Sequence, residues 1–167
     1  MATDCTRRYK VLIKELFPGA AVVADKFHVL KMADLAVDEI RKAIHRGIGS
    51  SRTQLRLKQD KFVLKTRAHN LADWQRAKLD TWRADFPEIG MAYDTKEAYY
   101  RIYDAGSRQE AKLRFDIWRT SLPPAHGKYW KSILITWGYW ENEILAFGVP
   151  ERADARHLSP WSGCVWV

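Results

Sequence analysis

Residues 20–47 read AAVVADKFHVLKMADLAVDEIRKAIHRG. The first part, Ala20 to Ala24, is short, wholly apolar and contains two adjacent valines, the pattern of a buried strand. Asp25 stops the run. From about Lys26 to Arg46 the spacing predicts a helix, with an apolar stripe of Phe27, Leu30, Leu35, Val37, Ile40 and Ile44. Gly47 and Gly49 close it. This is the only convincing strand in the sequence. One strand cannot satisfy its own backbone N–H and C=O groups. Either other strands come from elsewhere or the chain is a piece of a larger fold, and the strand is expected to be poorly supported or paired with part of the tail.

On either side of this stretch the sequence reads as helix. Upstream, Thr3-Asp4 marks a helix start, and Tyr9, Leu12, Ile13, Leu16 and Phe17 fall at helical spacing before Pro18-Gly19. Downstream, a helix is expected over about Thr53 to Lys65, with Leu55, Leu57, Phe62, Val63 and Leu64 as its apolar positions. Asn70 to Asp73 supplies a cap for a helix carrying Trp74, Leu79 and Trp82. Pro87 suits the first turn of the next, which holds Ile89, Met91, Tyr93, Ala98, Tyr99, Ile102 and Tyr103. Ser107-Arg108-Gln109-Glu110 reads as a capping box ahead of Leu113, Phe115, Ile117 and Trp118. Pro123-Pro124 breaks that helix, and a last long one runs from about Gly127 to Phe147. The tail, GVPERADARHLSPWSGCVWV, has no helical period and ends on large apolar residues.

The 167 residues suffice for one domain with a real core, and 47% hydrophobic content excludes a disordered chain. A net charge of +8 favours polyanionic partners such as nucleic acid, or simply keeps the surface solvated. Cys5 and Cys164 form no C-x-x-C pair, which argues against structural zinc and suits a reducing, cytoplasmic setting. The N-terminus lacks the apolar core of a signal peptide, and no run approaches the roughly 18 residues of a membrane span.

Asp25 is the candidate for chemistry. Sites in α/β folds gather at the carboxyl ends of strands, and a carboxylate there can hold Mg²⁺ if other carboxylates or phosphates join it. The competing reading is an N-cap for the helix that begins beside it. His28, in the first turn, is either a phosphate or carboxylate partner or, as is more common, merely packed or surface-exposed. His45, His69, His126 and His157 show no metal-ligand spacing. Lys31, Arg41, Lys42 and Arg46 on one helix, and Arg52, Arg56, Lys58, Lys61 and Lys65 on the next, either track a DNA backbone or form solvated faces. For Trp74, Trp82, Trp118, Trp130, Trp137 and Trp140, core packing is the better reading than base stacking.

Three ordered blocks add a resemblance. LFPGAAVVADKFHVLKMADLAVDEIRKAI resembles the second-aspartate region of transposases of the ISL-three insertion-sequence family, where a strand ends in Asp, a basic residue, Phe and His: here Asp25, Lys26, Phe27 and His28. LADWQRAKLDTWRADFPEIGMAYDTKEAYYRIYDAGSRQEA resembles that family's helical insertion, and WGYWENEILAF the helix leading to its last catalytic residue. The resemblance covers about residues 3 to 147. It implies an RNase-H-like fold in which two Asp and one Glu bind two divalent ions, Mg²⁺ or Mn²⁺, for cleavage and strand transfer at transposon-end DNA.

Only Asp25 is carried over, as the catalytic, metal-binding second Asp of the triad. The first Asp of the pattern lies upstream of anything here. The Glu motif is replaced from Gly148 onward, and Glu151 does not match it. The expected architecture is therefore mainly α: the helical insertion of an RNase-H-like DDE domain with one residual buried strand. Residues 1–147 form a partial domain, comprising a strand-end Asp region (1–46) and the helical insertion (50–147). Residues 148–167 form a divergent tail, read as out-of-frame or read-through sequence. With one of three carboxylates, the chain is expected to be inactive alone. The alternative is a basic helical module that binds DNA or pairs with an intact transposase without catalysis. No membrane partner is expected.

Overall fold

The valine run forms a strand, β1, over Ala21–Val23, and α1 follows over Lys26–Gly47. A computed structural model describes residues 15–16, 21–146 and 164–166. Glu15 and Leu16 are helical; the rest of the expected first helix lies outside the described residues. Beyond α1 come α2 (Ser51–Gln59), α3 (Lys61–Lys65), a 3₁₀ turn (Ala68–Asn70), α4 (Asp73–Asp85) and α5 (Pro87–Ile102). Then follow α6 (Arg108–Thr120), a second 3₁₀ turn (Pro124–His126), α7 (Gly127–Leu145) and β2 (Cys164–Trp166). The architecture is mainly α, as the sequence implies.

The strand finds its partner in the tail. β2 pairs with β1 in parallel, in the register Ala21–Cys164, Val22–Val165 and Val23–Trp166. So the expected lone strand is one of two among the described residues. Just past β1, the Ala24 N–H donates to the Glu143 carbonyl at 3.1 Å, which ties the strand end to the last turn of α7. The remaining tail residues, 148–163 and 167, lie outside the described residues.

Helix ends follow local chemistry. The Ser50 hydroxyl accepts from Thr53 N to start α2, and Pro87 occupies the first turn of α5, where its missing N–H costs nothing. At α4 the Gln75 side chain accepts from Ala72 N, so the cap residue is Ala72 rather than Asn70 or Asp73. Ser107 caps α6 through Glu110 N at 3.1 Å, but the Glu110 carboxylate reaches Gly106 N, one residue before the capping-box position.

Two expectations are corrected. The helix expected over 53–65 is split in two at Asp60. The Asp60 carboxylate is buried, accepting from the Trp82 indole at 3.1 Å and pairing with Lys78 of α4, so the chain turns there to bring the carboxylate inward. On α1, Phe27 and Leu35 are exposed rather than buried. The buried stripe is Val29, Ala33, Ala36, Val37 and Ile40. Small side chains on that face let α1 approach its main neighbours, α5 and α7, closely.

The core centres on α5, α6 and α7. Trp137 stacks on Phe115 with ring centroids 3.7 Å apart and donates its indole N–H to the Tyr99 hydroxyl at 3.0 Å. Trp118 meets Tyr99 at 4.9 Å and donates to Thr95 O at 2.9 Å. Trp82, Trp118, Trp130, Trp137 and Trp140 are all buried. Trp74 departs from the expected core role: 56% of its surface remains exposed.

Candidate functional site

Asp25 sits where β1 hands over to α1. Its backbone is extended (φ −65°, ψ 116°), and Oδ1 accepts from Phe27 N at 2.9 Å. This is an N-cap bond, which supplies an acceptor to one of the four otherwise unpartnered N–H groups of the first helical turn. His28 is half-buried and Phe27 stands out into solvent at 74% exposure. The strand end therefore presents a carboxylate, a basic residue and an aromatic ring in sequence order.

One carboxylate is not a divalent-ion site. Among the described residues no group of three or more His, Cys, Asp or Glu comes together in a way that could hold a metal. Mg²⁺ demands near-octahedral oxygen coordination, and one Asp25 oxygen already serves the helix cap. The described residues on their own do not fit a two-ion centre. His45, His69 and His126 join no such cluster either.

The cations separate into two populations. On α1, Arg41 is buried against Asp38 at 2.9 Å, Lys42 pairs with Asp38 and Glu39, and Arg46 donates to the Lys42 carbonyl. These groups are committed to their own helix. On α2 and at the start of α3, Arg52, Arg56, Lys58 and Lys61 are exposed. None of the four makes an ion pair with a carboxylate among the described residues. Arg56 lies over the Trp82 ring, 5.8 Å from its centroid.

Beside these cations stands an aromatic pair that sequence reasoning missed. Phe62 and Trp74 meet at 5.9 Å, both exposed, and Lys78 Nζ lies 5.5 Å from the Trp74 ring centroid. The legible signal was charge density. Residues 51–78 hold eight Lys or Arg and two Asp, most of the chain's excess of +8.

A third polar group is structural. Lys96 is fully buried, donating to Leu64 O at 2.8 Å and Thr66 O at 2.9 Å, 3.2 Å from Glu97 Oε1 and 4.2 Å from the Tyr93 ring centroid. Burial pushes its ammonium pKa below the usual lysine range. Burial likewise raises the Asp34 carboxyl, against the lowering effect of the Tyr100 hydroxyl that donates to it at 2.6 Å. A groove of about 430 Å³ involving α6 and α7 is lined by charges that neutralise one another, Lys112 bridging Asp116 and Glu141.

A family model described as transposase, of the ISL-three DDE type, matches residues 1–151. The chain belongs to the ISL-three family of DDE transposases. Neither a curated protein nor a solved structure matches the chain. Membership places the strand-end Asp25, the α1 junction and all seven described helices inside one transposase segment. No helix of the described residues is long and apolar enough to cross a membrane.

Proposed function

We propose that this transposase-family chain supplies Asp25 as the second aspartate of a DDE triad in an RNase-H-like domain, and that residues 50–147 are that domain's helical insertion. The observation that carries this reading is the junction itself: a carboxylate at the carboxyl end of β1, opening α1, inside the matched segment. In such chemistry divalent ions, Mg²⁺ or Mn²⁺, stabilise the attacking and leaving oxygens of a DNA phosphodiester. Asp25 would hold such an ion only together with carboxylates outside those described. The described residues bring no such group together, and the proposal is that the chain alone does not cleave DNA.

Two measurements test this. The purified chain, incubated with Mg²⁺ or Mn²⁺ and transposon-end DNA, gives no nicked product. Metal-dependent nicking that disappears in Asp25→Ala overturns the inactivity. In a family transposase engineered to carry this segment, Asp25→Asn abolishes cleavage although the amide oxygen still caps α1. Full activity there overturns the role of Asp25.

A second reading has its own observation. The cations concentrated in residues 51–78 suit a DNA-binding module that acts without catalysis, alone or paired with an intact transposase. A DNA mobility shift that falls steeply with salt and is unchanged in Asp25→Ala is the expected outcome; no shift at low salt overturns it.

A further inference from the structure

Resting on the DNA-binding reading, we infer that the surface of α2, α3 and α4 is a single-strand DNA platform, with an unpaired base stacking on Trp74 and phosphates lying on Arg52, Arg56, Lys58 and Lys61. Three independent observations converge on it. First, a large aromatic ring normally sinks into the core, as Trp82, Trp118, Trp130, Trp137 and Trp140 do; Trp74 keeps 56% of its surface in water. Second, its ring is held rather than loose. Phe62 of α3 backs it at 5.9 Å and the Lys78 ammonium sits 5.5 Å from its centroid, anchored from below by the buried Asp60. Third, Arg52, Arg56, Lys58 and Lys61 make no ion pair among the described residues, whereas Arg41 and Lys42 of α1 do.

The chemistry selects the strand form. A duplex offers phosphates to lysines but keeps its base faces stacked on each other, so an exposed indole gains nothing from it. A single strand offers both, because each unpaired base has a free face while the backbone tracks a positive surface. Asp60, between α2 and α3, is turned inward against Trp82 and Lys78, which leaves α2 and α3 without an exposed carboxylate; on α4, Asp73 and Asp80 stay exposed. The platform lies on α2 to α4, not on the strand end that carries Asp25.

The test is fluorescence anisotropy of a labelled oligothymidylate and of a duplex of equal length, titrated with the 167-residue chain. The single strand binds more tightly. Trp74→Ala weakens it by about 5- to 150-fold, the range of one lost base–aromatic stack, and Trp74→Phe recovers most of the loss. Lys58→Ala with Lys61→Ala reduces the salt slope by about 1.4, for two phosphates on a single strand. Far-ultraviolet circular dichroism of each variant matches the parent, because all three side chains are exposed. Equal affinity for the two DNA forms, or a Trp74→Ala variant that binds the oligothymidylate like the parent, overturns the platform while leaving duplex binding standing. Failure to bind either form overturns the platform and the DNA-binding reading together.

Discussion

The α5–α7 core and the α2–α4 face treat polar groups in opposite ways. In the core, indole and ammonium groups are brought inside and given acceptors: Trp118 to Thr95 O, Trp137 to the Tyr99 hydroxyl, Lys96 to two carbonyls. On the α2–α4 face the reverse holds. Arg52, Arg56, Lys58 and Lys61 are left in water without ion pairs among the described residues, and a tryptophan is left out with them. A buried polar group without a partner costs stability, so the core must satisfy its own. An exposed cation costs little, so its lack of a partner is a free choice that selection for a polyanion can exploit. Stability and charge are therefore carried by separate parts of this chain.

Core substitutions carry the largest expected cost. Trp137→Ala removes the stack on Phe115 and the bond to Tyr99 together, and should destabilise by about 4 kcal/mol in urea denaturation, the range of large aromatic deletions. A loss near that of a surface substitution would mean that α5, α6 and α7 are not one packed unit. Next in size is Lys96→Met. It keeps the apolar stem but leaves the Leu64 carbonyl and the Glu97 carboxylate without their ammonium, at a cost of about 3 kcal/mol. If Lys96→Met is instead stabilising, its ammonium is a tolerated burden rather than a strut.

The sequence carried the helical order well because each helix has a local stop or start, such as Pro87, Ser107 or Pro123-Pro124, within a few residues of its end. What local patterns could not carry were tertiary choices. The split at Asp60 depends on Trp82 and Lys78, which lie 22 and 18 residues away. The α1 stripe was misread because the helix presents Ala33 and Ala36 inward, and alanines give little hydrophobic signal beside Phe27 and Leu35. At the candidate site, both local readings of Asp25 were legible. The cap bond to Phe27 N is realised in the fold, and the metal role is the proposal drawn from the family pattern. Trp74 reads like the core tryptophans because amphipathic spacing does not say which helices have a neighbour on a given side.

A weaker effect is expected where the basic stretch meets the core. Arg67 belongs to the basic stretch yet forks onto Asp104, just past α5, with its guanidinium at 2.6 Å and 3.3 Å from the two carboxylate oxygens. That hydrogen bonding holds the Asp104 carboxyl below the usual aspartate range. A carboxyl depressed in the folded state contributes stability above its unfolded pKa of about 3.9 and loses it as pH falls through the lower folded value. Asp104 is 43% exposed, so the contribution is screened to about 0.5 kcal/mol at neutral pH. Asp104→Asn should therefore lower stability slightly at pH 7, with the parent and variant curves converging in strong acid. Arg56→Ala, on the unpaired face, should show no acid-dependent difference at all. If it does, a carboxylate partners that face in solution, and the division between a paired core and an unpaired surface fails at that point.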